Sequence, residues 1–181
     1  MANAKSAASS EAERTAHEYL RVSVDGSGIE ESQSEQHEDN EWVRRDEGWR
    51  RGRTYKDTGS ASRYARKTRD DFGKLINDLR SGVIRSGEVL QLWESSRGSR
   101  EQAEWATFLN LLRDNNVLLH VTSHRRLYDL PNPRDRRTLD EDGVDSAYES
   151  AKTSMRITRH IAANAAKGRP HGRVPFGYRH L

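Results

Sequence analysis

Between residues 69 and 122 the sequence alternates between helical and strand-like apolar patterning, and that alternation fixes the class of fold. Phe72, Leu75, Ile76 and Leu79 recur at i, i+3, i+4 and i+7, the stripe of a core-facing helix that Gly82 stops. Residues 88–94, EVLQLWE, then read as a mostly buried strand. A second helix is expected over 101–115, with Trp105, Phe108, Leu109 and Leu112 on its buried side, and 117–122, VLLHVT, reads as another strand. Upstream, 19–23 and 49–56 read as strands around a helix over 32–46, where Ser32 and Glu35 have capping-box spacing. A short extra strand over 127–130 is cut off by Pro131 and Pro133. Strands alternating with helices imply an α/β fold with a mostly parallel sheet flanked by helices. Ligands in such folds sit beyond the carboxyl ends of the strands.

The rest of the chain extends beyond that body. With 33% hydrophobic and 33% charged residues among 181, the sequence is core-poor for a single compact unit. The expected division is a disordered tail over 1–16, a globular body over 17–142, a long projecting helix over 143–168 and a basic linker over 169–181. No Pro or Gly interrupts 144–167, which gives about 36 Å of helix at 1.5 Å per residue. Lys152, Arg156, Arg159, Lys167, Arg169, Arg173 and Arg179 fall in the last 32 residues without a single Asp or Glu, so the remainder of this +3 chain is net acidic. A basic C-terminal segment of this kind is suited to a polyanion, most often nucleic acid. The absence of cysteine excludes disulfides and thiolate metal sites and suits a reducing cytoplasm. No apolar run reaches spanning length, so no membrane association is expected.

The chemistry suggested by the residues is phosphoryl transfer. In the first strand, Tyr19, Arg21 and Ser23 share one face, putting a cation beside a hydroxyl. Arg69 follows a basic loop over 57–68 that carries Arg63 and Arg66, and Arg97 and Arg100 follow the strand at 88–94. Arginine suits a phosphoryl group because its planar fork is always charged and matches phosphate geometry. There is no GxxxxGK[ST] loop for a nucleoside triphosphate and no GxSxG elbow for a Ser-His-Asp hydrolase. His120 and His124 sit on a strand and its exit, which does not make a zinc face, and Asp140, Glu141, Asp142 and Asp145 read as the acid-rich start of a helix, without the glycine offset of a calcium loop. No metal or other cofactor is expected.

Taken together, Tyr19-Leu20-Arg21-Val22-Ser23, Ser32 with Gln36, Asp57 through Arg69-Asp70-Asp71-Phe72, the run from Glu94 to Arg100, and Ala147-Tyr148-Glu149-Ser150 resemble the catalytic domain of serine recombinases. The likeness covers nearly all of 18–181 and is nearest to the large serine integrases of phages and mobile elements, whose next domain opens with a stretch like GRPHGRVPFGYR. It implies that Ser23 attacks a DNA phosphodiester and becomes joined to the 5′ phosphate, with Arg21, Arg97 and Arg100 around the scissile phosphate and Arg69 near the leaving oxygen. Tyr19, Gln36 and Glu149 match supporting active-site positions. The resemblance further implies double-stranded DNA attachment sites as partners, homodimers that synapse into tetramers, a cytoplasmic, nucleoid-associated location, and DNA contacts from Arg63, Arg66, Lys152, Arg156, Arg159, Lys167, Arg169 and Arg173. The sequence departs from the small resolvases at Ser96, where they carry Asp, and at Ser150, where they carry Arg. Because large integrases continue through further DNA-binding domains, the chain is expected to be truncated after the start of the next one. The alternative reading is a non-catalytic DNA-binding or dimerising remnant of an integrase.

Overall fold

A computed structural model describes residues 14–24, 33–60, 69–98 and 102–169. Its centre is a five-stranded sheet formed by β1 (Thr15–Val24), β2 (Arg50–Ser60), β3 (Val89–Leu92), β4 (Leu118–Val121) and β5 (Arg126–Tyr128), in the order β2-β1-β3-β4-β5. The first four strands run parallel and β5 is antiparallel to β4. The helices are α1 (Gln33–Asp46), α2 (Asp70–Arg80), α3 (Ser95–Gly98), α4 (Gln102–Asp114) and α5 (Pro133–Ala166). This is the α/β architecture expected from the sequence, with a long C-terminal helix.

The two faces of the sheet are covered differently. Phe72, Leu75 and Leu79 of α2 and Trp105, Phe108, Leu109 and Leu112 of α4 pack with Tyr19, Leu90, Leu92, Leu119 and Val121 from the strands in one continuous apolar core. On the opposite face α1 contributes Val43 to a smaller cluster with Ala16, Trp49 and Val89. Its other inward residues are polar. Glu18, in the middle of β1, accepts hydrogen bonds from His37 Nδ1 at 2.7 Å, Thr54 Oγ1 at 2.7 Å and Asn40 Nδ2 at 3.3 Å. Asn40 in turn accepts from Gln91 Nε2 at its backbone carbonyl and from Thr122 Oγ1 at its side chain. A buried carboxylate is tolerable only when its lone pairs are engaged in this way.

Several boundaries differ from the sequence expectation. The strand expected to end before Asp57 continues to Ser60, because β1 also runs on and pairs with it from Arg21↔Asp57 to Val24↔Ser60. The strand expected over 117–122 gives way at Thr122 to a 3₁₀ turn through His124, and β5 is Arg126–Tyr128, shifted from 127–130. The largest difference is at α5, which begins at Pro133 and spans 34 residues, about 51 Å. Pro133 starts the helix because a first-turn residue needs no amide donor, and the Asn132 side chain accepts from the Arg134 amide. The acidic cluster from Asp140 to Asp145 therefore lies inside the helix.

Candidate active site

Beyond Tyr19 the sheet opens. β3 pairs with β1 only as far as Tyr19↔Leu92, after which the chain turns through Trp93 and Glu94 into α3. Arg21 consequently has no β3 residue beside it, and the buried side chain of Gln36 takes that place. Gln36 Nε2 donates to the Arg21 carbonyl at 3.1 Å, and the Arg21 amide donates to Gln36 Oε1 at 3.3 Å. A primary amide can do this because it carries a donor and an acceptor side by side, as a neighbouring strand would. Gln33, one turn earlier on α1, donates to the Asp57 carbonyl at 3.0 Å. The backbone of β1 continues through Ser23, opposite Gly59, at the carboxyl end of the sheet.

Tyr19, with no solvent exposure, anchors the other side of this opening. Its hydroxyl donates to Asp57 Oδ2 at 3.0 Å and accepts from Arg69 Nη2 at 3.2 Å. Burial raises the phenol to about 12, against the opposing pull of Arg69, so it stays protonated and keeps both roles. Asp57 also accepts from the Phe72 amide at 2.9 Å and the Asp71 amide at 3.2 Å. A strand carboxylate thus satisfies orphan donors of the first turn of α2, where the helix dipole favours negative charge. Arg69 immediately precedes that turn. Its guanidinium lies over the Phe72 ring at 3.8 Å and donates to the Gly98 carbonyl at 2.6 Å and to Glu104 Oε2 at 2.7 Å.

The short helix α3, whose backbone includes Arg97, is held between this cluster and α5. Trp105 packs against both Gly98 of α3 and Gly143 of α5; a Cβ at either glycine would lie 2.2 and 2.4 Å, respectively, from the indole. Its Nε1 donates to the Leu139 carbonyl at 2.7 Å. Ser95 Oγ donates to Asp142 Oδ2 at 2.9 Å, a second tie between α3 and α5. Ser96 donates to Glu94 Oε2 at 2.7 Å, so a carboxylate is attached to the residue that stands where small resolvases carry Asp.

Of the site residues expected from the sequence, the structure thus brings Tyr19, Gln36 and Arg69 together around the open end of β1. Arg21 lies on that strand, half-buried. Arg100, Arg63, Arg66 and Arg173 lie outside the described residues, as do Ser32 and the side chains of Ser23 and Arg97. Glu149 sits on the distal part of α5, exposed and paired with Lys152 at 3.0 Å. Lys152, Arg156 and Arg159 follow it at i, i+4 and i+7 spacing, on one side of the helix, with Lys167 and Arg169 exposed just after its end. Val144, Tyr148, Met155 and Ile157 are exposed on the same helix. Sequence reasoning gave no role to Glu104, took Asp57 only as part of the family motif and Asp142 only as part of the acid-rich start of a helix; each contacts the cluster or its supports only through tertiary folding. Among the described residues no group of three or more His, Asp or Glu is placed to hold a metal ion. Nor is any helix among them long and apolar enough to cross a membrane.

Comparison with known proteins bears on the family and the fold. Residues 16–170 match the family model described as Resolvase, N terminal domain. Two solved structures share the fold. The N-terminal catalytic domain of TP901-1 integrase is 20% identical, with a TM-score of 0.54 over 75% of this chain and 96% of that one. A resolvase family site-specific recombinase from Streptococcus pneumoniae is 18% identical, with a TM-score of 0.56 over 84% of this chain and 99% of that one. No curated protein sequence matches.

Proposed function

Because the chain belongs to the resolvase family and its body is a serine recombinase catalytic domain, we propose that it cleaves and rejoins double-stranded DNA through a covalent phosphoserine at Ser23. The serine Oγ attacks the phosphorus of a phosphodiester, the bond to the 3′ oxygen breaks, and that oxygen leaves as a hydroxyl carrying a proton. The 5′ phosphate is then esterified to Ser23. Attack by a 3′ hydroxyl on the phosphoserine reverses the step and restores a phosphodiester, so the linkage is conserved without an external energy source. Arg21, Arg97 and Arg100 surround the phosphate and Arg69 neutralises charge near the leaving oxygen, an electrostatic role that carries most of the work in phosphoryl transfer.

The observation that carries this reading is the anchoring of Arg69 to Tyr19, on the strand that goes on through Arg21 to Ser23 and past the point where β3 stops. Tyr19 and Gln36 act as positioning residues. The basic side of α5, with Lys152, Arg156, Arg159 and Lys167, contacts DNA phosphates along with Arg63, Arg66, Arg169 and Arg173, and Glu149 serves where that helix meets the reacting strand. Phosphate contacts of this kind give affinity but not sequence choice. Exposed Val144, Tyr148 and Met155, which share one side of α5, pair one copy with another in a dimer, and dimers synapse into a tetramer.

The test is covalent capture. The full chain, fused at its C-terminus to a DNA-binding domain of known operator, is incubated with duplexes carrying two operators around a randomised, nicked spacer. A denaturation-resistant protein–DNA adduct retaining the 5′ phosphate and releasing a free 3′ hydroxyl is the expected product, and Ser23→Ala abolishes it. An adduct that persists in Ser23→Ala refutes the assigned nucleophile; no adduct from the wild-type fusion refutes the enzymatic reading.

A further inference from the structure

Arg69 is already engaged by the protein itself. A guanidinium has five N–H donors, and contacts to Tyr19, Gly98 and Glu104 occupy at least four of them: Nε and Nη2 toward Tyr19, Nη2 toward Gly98, and Nη1 toward Glu104. A bidentate grip on phosphate needs two parallel N–H groups on one edge of the fork. The edge shared by Nε and Nη2 is taken by Tyr19, and the edge shared by Nη1 and Nη2 by Glu104 and Gly98. One contact must therefore be given up before Arg69 can hold a phosphate with two bonds.

The three partners differ in how easily they can leave. Tyr19 has no exposed surface and also holds Asp57. Gly98 is fixed against the Trp105 ring, and its backbone carbonyl cannot turn away without moving α3. Glu104 is a side chain in the first turn of α4, 42% exposed, and only its carboxylate reaches Arg69. It is also the one partner that carries a negative charge, as a phosphodiester does. We propose that Glu104 is a positioning residue that holds Arg69 at rest, occupies the phosphate's place on the guanidinium and is displaced by the phosphate when DNA engages. This rests on the proposed function in taking Arg69 as a phosphate ligand. The exchange of one anion for another keeps the arginine oriented and partnered in both states, and the carboxylate repels a phosphate that arrives without the contacts needed to displace it.

The test uses the full chain and inorganic phosphate as the probe. The Nε–Hε NMR signal of Arg69, assigned by its loss in Arg69→Lys, is followed together with the backbone amide signals of Asp70 and Phe72 during phosphate titration of wild type, Glu104→Gln and Glu104→Asp. The amide signals alone report binding in the Arg69→Lys background. Because an exposed ion pair is worth little, the expected gain is modest: Glu104→Gln binds phosphate about threefold more tightly, Glu104→Asp stays near wild type, and the gain disappears in the Arg69→Lys background. Unchanged or weaker binding in Glu104→Gln overturns the proposal, as does an equal gain in the Arg69→Lys background. If the Ser23 adduct forms but Glu104→Gln does not tighten phosphate, this inference alone fails. If phosphate tightens as expected while no adduct forms from the wild-type fusion, the restraint by Glu104 stands and the proposed function fails.

Discussion

The two layers that enclose β1 are built from opposite materials. Against α2 and α4 the strand presents Tyr19 to an apolar core that includes Phe72, Leu75, Leu109 and Trp105. Toward α1 it presents Glu18 to His37 and Asn40, in a network that reaches Gln91 and Thr122. Apolar packing is strong but indifferent to partner, whereas each hydrogen bond in the polar layer has one correct mate. The first layer therefore supplies cohesion, and the second fixes where α1 lies along the strand. That position matters because Gln36, on the same helix, must reach the backbone of Arg21. The site is shared between the layers, Tyr19 and Arg69 belonging to one and Gln36 to the other.

The largest effect should come from the apolar layer. Leu109→Ala removes a fully buried side chain and is expected to cost about 2–5 kcal/mol in urea unfolding, while the molecules that remain folded keep their adduct yield when fused to the DNA-binding domain. Asn40→Ala, in the polar layer, removes one of the donors to Glu18 and the side-chain acceptor of Thr122 and should cost about 1–3 kcal/mol, with a fall in adduct yield out of proportion to the lost stability as Gln36 drifts from Arg21. Equal loss of adduct per folded molecule in both variants would erase the distinction between cohesion and register. Tyr19→Phe keeps the apolar packing but removes the hydroxyl between Asp57 and Arg69. It should cost about 1 kcal/mol and lower adduct yield, and a crystal structure of the variant should show Arg69 displaced.

The smallest effect at neutral pH separates the layers by titration. His120, beneath α1, has its pKa lowered by burial from 6.5 to about 4. Its neutral form is the one that fits the fold, so stability is full above 6.5 and declines as the pH falls toward 4, because the unfolded chain takes up the proton first. Tyr19 shows the opposite sign. Its pKa rises from 10.0 to about 12, so its contribution is complete below 10 and is lost as the pH climbs toward 12. In chemical unfolding at a series of pH values, His120→Leu should reduce the slope of the acid limb alone and Tyr19→Phe that of the alkaline limb alone, where Tyr55 and Tyr128, also raised by burial, still contribute.

The apolar layer was largely legible in the sequence because its information is periodic. Phe72, Leu75 and Leu79, and Trp105, Phe108, Leu109 and Leu112, repeat at helical spacing and needed no partner to be recognised. The polar layer was not, since Glu18 falls just before the strand expected over 19–23, and nothing marks it as buried until Thr54, 36 positions later, is placed beside it. The start of α5 was hidden for another reason. Pro133 and Gly143 read as interruptions, but the first occupies the turn where proline fits and the second lets the helix approach Trp105. At the site, the face shared by Tyr19, Arg21 and Ser23 follows from strand alternation, but the link from Tyr19 through Asp57 to Arg69 is tertiary; the family resemblance marked Tyr19 and Arg69 as site residues without joining them.

The central claim, that the open end of β1 is where DNA is joined to the protein, is tested most directly by locating the attached nucleotide. The denatured adduct is digested with nuclease and trypsin, and the peptide from Val22 to Arg44, which holds Ser23 together with Ser27, Ser32 and Ser34, is sequenced by mass spectrometry. A 5′-deoxynucleotide phosphate on Ser23 is the expected result, and its attachment to any other residue would contradict the claim.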